Sequence, residues 1–439
     1  MPWKDVSAMS QREEFVLLVS QPEANVQALC RRFGVSRPTG YKWLARYRAS
    51  GRDGLRDQSR RPRGSPRRTE SALESAVLAV RLAHRAWGGR KIRTVLQSQA
   101  DRGVLRDDAG VMLHRDAVPS ASTITAILRR HGKLDANESL KHQPWQRFEH
   151  AAPNDLWQMD FKGHFALATG GRCHPLTVLD DHSRFAIGLR ACGDETAMTV
   201  QRELILLFRQ YGLPRRMLMD NGAPWGDRGD QPWTIFTAWL LRLDIGVSHG
   251  RPYHPQTQGK DERFHRTLNV ELLRENIFND LPGSQERFDP WRDDYNCLRP
   301  HEALSMAVPA SRYQPSARSM PEVLPAIEYS PGDQVRRVQQ GGWISFRGRA
   351  CRVGSAFVGQ PVALRATTTD GLLEVYYCRQ RIGEVDLRRT GERADGVTPR
   401  GQLPFAAVAA LPPLTPADHA AGTVSSNDNP GVKDVSEHL

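Results

Sequence analysis

The chain has 439 residues, 39 % of them hydrophobic and 25 % charged, and its 61 Lys+Arg against 49 Asp+Glu give a net charge of +12. No apolar run nears the roughly 20 residues that a membrane helix needs, and the opening "MPWKDVSAMSQREEF" lacks the basic flank and apolar block of a secretory leader. The cysteines (Cys30, Cys173, Cys192, Cys297, Cys351, Cys378) stand singly without a CxxC pair, which argues against a disulfide framework or a cysteine zinc site and for a reducing, cytoplasmic setting.

The charge is uneven. Residues 1–150 hold 28 Lys+Arg against 15 Asp+Glu, whereas the remaining 289 hold 33 against 34. The first third therefore carries the whole positive excess and is expected to attract a polyanion, with nucleic acid as the leading partner.

"NVQALCRRFGVSRPTGYKWLARYRASG" reads as two short helices around a tight turn. Val26, Leu29, Cys30 and Phe33 recur at helical spacing, Gly34 ends the first helix and Ser36 caps the second. This pair resembles a helix-turn-helix, which places its second helix in the major groove. Arg37, Thr39, Tyr41, Lys42 and Arg46 are then candidates for DNA contact. The Arg- and Pro-rich stretch "GRDGLRDQSRRPRGSPRR" cannot bury a core, and is expected to form an arm placing Arg60, Arg61 and Arg63 along phosphates or in a narrow minor groove. These segments make up an expected first domain, 1–66.

Residues 67–135 return to helical periodicity, with Gly88 and Gly89 as a turn, Ser120 or Ser122 as a cap and an Ile124, Ile127, Leu128 stripe. A second small helical DNA-binding domain is expected there, followed by a polar, proline-punctuated linker over 136–152. From 153 to 318 strands and helices alternate, an α/β order with a central sheet. "LWQMDFKG" and "HPLTVLDDHSRFAIGLRAC" read as strands, the second a hairpin turning near Asp181, His182 and Ser183. "TAMTVQRELILLFRQYG" and "WTIFTAWLLRLDIG" read as helices, with "RRMLM" as a buried strand between them. Residues 328–395 form short strands with Gly-containing turns, predicting a small β-barrel. The Ala-, Pro- and Gly-rich 396–439 is expected to be disordered.

Three carboxylates stand out. Asp160 sits near the end of an apolar strand, where an unneutralised charge is costly. Asp220 ends another strand just before the Asn221-Gly222 turn, and strand ends of such sheets are where ligands gather. Glu262 falls in the first turn of a helix marked by Phe264, Leu268 and Leu272. Asp261 points about 100° away from it, and Glu271 lies about 13 Å along the axis, so Glu262 is the better candidate ligand.

"WQMDF", "DDHSRF", "MDNGAPW", "RPYHPQTQGKDERFHRTL" and "YNCLRPHEAL" occur in the order and spacing seen in integrase-core (DDE-type) transposases of bacterial insertion sequences, relatives of retroviral integrases. The chain resembles that family over roughly residues 20–395, including "GLRDQSRRP". The resemblance implies a ribonuclease-H-like core and a triad of two aspartates and a glutamate, matching Asp160, Asp220 and Glu262. It also implies a DNA transposase that binds terminal inverted repeats, hydrolyses 3′ ends and transfers strands as a homo-oligomer on DNA. Two Mg2+ or Mn2+ ions about 3.5–4 Å apart suit such chemistry and prefer carboxylate oxygens.

His254 and Gln256 in the preceding loop, with Arg263 and Arg266, are expected to approach DNA. Many relatives carry a basic residue seven positions after the catalytic glutamate, where this chain has Asn269. Asn296, Arg299, Pro300 and His301 look like a packing signature. Two other readings remain: a catalytically silent, transposase-derived DNA-binding regulator, and a metal-dependent nuclease without strand transfer.

Overall fold

The computed structural model describes residues 8–57, 69–134, 149–220, 222, 224–225, 233–249, 259–388, 402–403 and 405–407. Its contacts divide the chain into two compact units, Met1–Thr69 and Glu70–Leu439.

The first unit packs three helices, α1 (Ala8–Val19), α2 (Val26–Arg32) and α3 (Arg37–Ser50), around Phe15, Val16, Cys30, Trp43, Leu44 and Leu55. Asn25 caps α2 by accepting from the Ala28 N–H at 3.1 Å. Gly34, at φ +65°, reverses the chain, and Ser36 accepts from the Thr39 N–H to start α3. The expected helix pair is present, and α1 completes its core. Its signal was weak in sequence, because only Phe15, Val16 and Val19 of α1 are buried.

The second unit opens with α4 (Ser71–Ala83), α5 (Gly89–Asp101) and α6 (Ala121–Arg130), packed through Leu73, Val77, Trp87, Ile92, Leu96, Ile124 and Leu128. Ser120 is the α6 cap, accepting from the Thr123 N–H at 3.2 Å. Gly88 and Gly89 lie at the start of α5 rather than forming a separate turn. Leu298 of the following core packs against this cluster, and Arg90 pairs with Glu302 at 3.5 Å.

The core sheet contains β1 (Trp157–Phe161), β2 (Phe165–Ala166), β3 (Arg172–Asp180), β4 (Ala186–Cys192), β5 (Arg216–Met219) and β6 (Gly246–His249). Its order is β2-β3-β1-β5-β6, with β4 also on β3. The β1–β3 and β3–β4 pairs are antiparallel, and β1–β5 and β5–β6 are parallel. The β3–β4 hairpin turns at Asp181 to Ser183 as expected, whereas the four-residue β6 was too short to separate from the helix read before it.

Helices cover both faces: α7 (Ala197–Tyr211) and α8 (Ile235–Arg242) on one, α9 (Gly259–Glu271) and α10 (Leu281–Cys297) on the other. Alternation along β3 shows this directly. Leu176 and Val178 join Val200, Leu204 and Phe208 of α7, while Cys173 and Leu179 join Phe264, Leu268 and Phe288 of α9 and α10.

Beyond the core come β7 (Gln334–Arg337), β8 (Trp343–Phe346), β9 (Arg349–Arg352), β10 (Pro361–Ala366), β11 (Leu372–Tyr377), β12 (Gln380–Asp386), β13 (Gln402–Leu403) and β14 (Phe405–Ala407). They form two open sheets, β14-β12-β11-β10-β7 and β13-β9-β8, so the expected closed β-barrel is corrected. Alternating hydrophobicity and glycine turns fix strands, but closure also needs matched strand number, tilt and stagger, which that pattern does not encode. Here the sheet leans on the core instead: the Trp233 indole N–H donates to the Ile382 carbonyl at 2.9 Å. Within 396–439, read from composition as disordered, β13 and β14 pair with β9 and β12, and the rest lies outside the described residues. No helix among the described residues is long and apolar enough to cross a membrane.

Candidate active site and nucleic-acid surfaces

Asp160 and Asp220 stand at the same level of adjacent parallel strands. The β1–β5 register pairs Trp157 with Met217 and Gln158 with Leu218; continued at the same offset it runs from Asp160, near the end of β1, to Asp220, the residue after β5. The electrostatics agree. Burial and the neighbouring Asp220 charge push the Asp160 carboxyl up to about 6, against partial relief from the Phe161 N–H.

Asp220 is shaped by its own turn, where the Gly222 N–H donates to Oδ1 at 3.0 Å. Across the β5–β6 pair, His249 Nδ1–H donates to the Asp220 carbonyl at 2.8 Å, and its buried Nε2 has no hydrogen-bond partner among the described residues. Asn221 lies outside the described residues.

Below Asp160 lies a residue that the sequence reading missed, His265 on α9. The Thr177 hydroxyl donates to the Asp160 carbonyl at 2.9 Å, so its oxygen must accept from His265 Nε2–H at 2.8 Å. That leaves Nδ1 unprotonated, 3.9 Å from Asp160 Oδ2. Burial holds the imidazole down at about 4, which agrees with the neutral tautomer. The signal available in sequence was its place one position after the Phe264 stripe.

Glu262 does fall in the first turn of α9, but its side chain is exposed. Asp261 is the inward one, 2 % exposed, with no partner for Oδ1 among the described residues and its carboxyl held well above the usual range by burial, then by Asp160 and Asp181. Among the described residues no three His, Cys, Asp or Glu side chains stand close enough to hold a metal ion together. Asp160 and Asp220 are thus brought together, and Glu262 is not gathered with them here. The donor set nonetheless fits a hard divalent cation, because two adjacent carboxylates repel and offer only oxygen.

Of the DNA-contact candidates, Arg37, Tyr41 and Lys42 are exposed on α3. Thr39 is engaged by the Ser36 cap, and the Arg46 guanidinium lies over the Trp43 ring at 5.1 Å. Arg263 and Arg266 are exposed on α9. Arg60, Arg61, Arg63, His254 and Gln256 lie outside the described residues. Asn296, Arg299, Pro300 and His301 serve packing. The Asn296 amide exchanges two hydrogen bonds with Ala186 of β4 (2.8 and 3.1 Å), Arg299 pairs with Glu271 at 3.1 Å, and His301 packs edge-on against Tyr295.

A parallel strand pair ending in adjacent carboxylates, with small helical units ahead of it in the chain, is the arrangement expected of an integrase core. Family models agree. The integrase core domain matches residues 150–255 and, in a second model, 243–309; a helix-turn-helix domain matches 11–63, a homeodomain-like domain 39–107, and the IS481 family transposase C-terminal domain 333–393.

The uncharacterized 31.7 kDa protein of insertion element IS407 from Burkholderia multivorans is 28 % identical over 54 % of this chain and 80 % of its own length. That of insertion element IS476 from Xanthomonas euvesicatoria, of 39.2 kDa, is 25 % identical over 69 % and 81 %. The HTLV-2 integrase catalytic core domain, solved in complex with magnesium, is 17 % identical over 37 % of this chain and 97 % of that one, with a TM-score of 0.28. The chain is thus similar to integrase-core transposases of bacterial insertion sequences, with helix-turn-helix, integrase-core and IS481-type C-terminal domain matches in that order along its length.

Proposed function

We propose that this chain is a transposase that binds the terminal inverted repeats of its element and uses Asp160, Asp220 and Glu262 to hold Mg2+ or Mn2+, two ions in all, during 3′-end hydrolysis and strand transfer. The carrying observation is the β1–β5 register, which continued at the same offset runs from Asp160 to Asp220, inside a region that matches the integrase core. The domain limits given above, the homo-oligomer on DNA and the contacts from Arg37, Tyr41, Lys42, Arg60, Arg61, Arg63, His254, Gln256, Arg263 and Arg266 belong to the same proposal.

When bound, paired divalent ions activate the attacking oxygen and stabilise the leaving one. The chain's own part is positioning. Hydrogen bonds to backbone on either side, from Thr177 to Asp160 and from His249 to Asp220, fix the two strand ends. The neutral His265 adds no positive charge beneath them. Arg263 and Arg266, exposed on the helix that carries Glu262, would meet the scissile strand's phosphates. Hydrolysis breaks a P–O3′ bond and leaves a 3′ hydroxyl on the element end. That hydroxyl then attacks a target phosphorus, and the displaced target 3′ oxygen takes a proton.

Asp261 is a rival third carboxylate because it is buried near Asp160 with one oxygen unpartnered among the described residues. Burial raises the Asp261 carboxyl and so favours its neutral acid, whereas Glu262 is exposed, so Glu262 is preferred. The test is magnesium-dependent cleavage and joining of duplexes copied from the DNA flanking the gene. Asp220→Asn should bind the duplex as wild type does and lose both reactions. Normal cleavage by that variant would overturn the assignment. A wild-type protein that binds but never cleaves would support a silent regulator, and cleavage without joining a nuclease.

A further inference from the structure

The first turn of α9 carries a cation that is not turned toward solvent. Lys260, next after the first residue of the helix, has an 18 % exposed side chain whose ammonium bonds the Asp181 carboxylate and also donates to the Asp181 carbonyl at 3.2 Å. Asp181, in the β3–β4 turn, is 2 % exposed. Its carboxylate also accepts from the Gln158 amide at 2.7 Å and from the His150 N–H at 2.9 Å. Gln158 is on β1, two residues before Asp160, and His150 is where the chain enters the core after the helical units. One carboxylate therefore ties together the strand bearing Asp160, the turn bearing Glu262 and the entry of the linker.

Neighbouring pairs brace the same corner. Glu149 takes Arg184 at 3.7 Å, Arg312 at 3.6 Å and His182 at 3.7 Å. Lys260 is the cation bonded directly to Asp181, and a buried charge left without its partner is costly, so the lysine is held to that position. Glu262 lies two residues further along the same turn, and its place is set by where Lys260 is pinned.

We propose that the Asp181–Lys260 pair is a positioning device for the catalytic turn of α9: it fixes where Glu262 stands relative to Asp160 and links that placement to the incoming linker. This rests on the reading of Glu262 as the third carboxylate. It also sets Lys260 apart from Arg263 and Arg266, since its charge is spent inside the protein and is not offered to phosphate.

The test uses the full chain and a duplex copied from the flanking DNA. Duplex affinity and its salt dependence are measured without metal, and single-turnover cleavage at saturating protein is followed as Mn2+ is varied. Lys260→Met should leave affinity and salt slope unchanged, lower the saturating cleavage rate about a hundredfold, as a misplacement of about 1 Å does, and raise the Mn2+ needed. Lys260→Arg should recover part of the rate. Lys260→Cys, folded first and then treated with bromoethylamine to rebuild an ammonium, should regain activity on treatment, with treated wild type as control for the exposed Cys297.

If Lys260→Met instead weakens DNA binding and reduces the salt slope by about one at an unchanged saturating rate, Lys260 is a phosphate contact and the proposal is wrong. An unchanged rate with unchanged binding, or no gain on aminoethylation, also overturns it. Glu262→Gln separates the two levels. If that variant cleaves, the triad assignment fails; if it is inactive while Lys260→Met is not, only the positioning role fails.

Discussion

Asp160 pays electrostatically for its place, and the cost has a pH signature. Its carboxyl is raised from 3.8 to about 6 in the folded state, first by burial and then by Asp220. The folded protein therefore holds a proton that the unfolded chain has released between those values, so the Asp160 contribution to the stability of the metal-free protein is fully present below pH 4 and is lost as pH rises to about 6. The contribution is of the order of 3 kcal/mol. Denaturant midpoints across that range should show the fall, and Asp160→Asn should flatten it. The same two aspartates were legible in sequence because a charge at an apolar strand end has few structural uses. His265 was not legible, since its role depends on a tautomer fixed by Thr177 from another strand. The inward turn of Asp261 was also hidden, because helical spacing gives the angle between neighbours but not which of them faces the core.

At the scale of elements, close approaches decide more than propensity does. A Cβ on Gly89 would stand 2.3 Å from the Ala121 carbonyl oxygen and 2.5 Å from Thr125 Oγ1, so α5 and α6 touch through that glycine. Gly89→Ala should cost about 1–3 kcal/mol, read as a lower denaturant midpoint. Gly88→Ala, with open space at the same helix start, should cost much less. Asn296→Ala would leave both the N–H and the carbonyl of Ala186 unpaired in a buried site. It should destabilise the protein by about 2–4 kcal/mol without altering DNA affinity in the folded fraction, as a melt and a binding titration would show. Helices with a cap and a stripe, such as α2, α3, α6 and α7, could be read from sequence with their ends. The short strand β6 and the open C-terminal sheets could not, because strand pairing and sheet closure are set by partners far along the chain.

For the whole molecule, charge and fold divide the labour. The positive excess lies entirely in residues 1–150, ahead of a core whose carboxylates would repel DNA without cations. DNA affinity should therefore fall steeply with salt through contacts made by the first third. Replacing Arg60, Arg61 and Arg63 together by Ala should reduce the slope of log affinity against log salt by about three, close to one per phosphate contact. A slope unchanged by that triple substitution would remove the arm from the interface. This division was legible from a charge count alone. The packing of α4 to α6 onto the core through Leu298 and Glu302 was not, because neither residue carries any mark of its partner in the sequence.

The most direct measurement is a Mn2+ binding titration of the folded protein on duplex DNA from the element end, comparing wild type with Asp160→Asn, Asp220→Asn, Glu262→Gln and Asp261→Asn. The first three substitutions should each weaken binding at least tenfold, and Asp261→Asn should leave it close to wild type. Wild-type affinity in Glu262→Gln together with loss in Asp261→Asn would contradict the proposed triad.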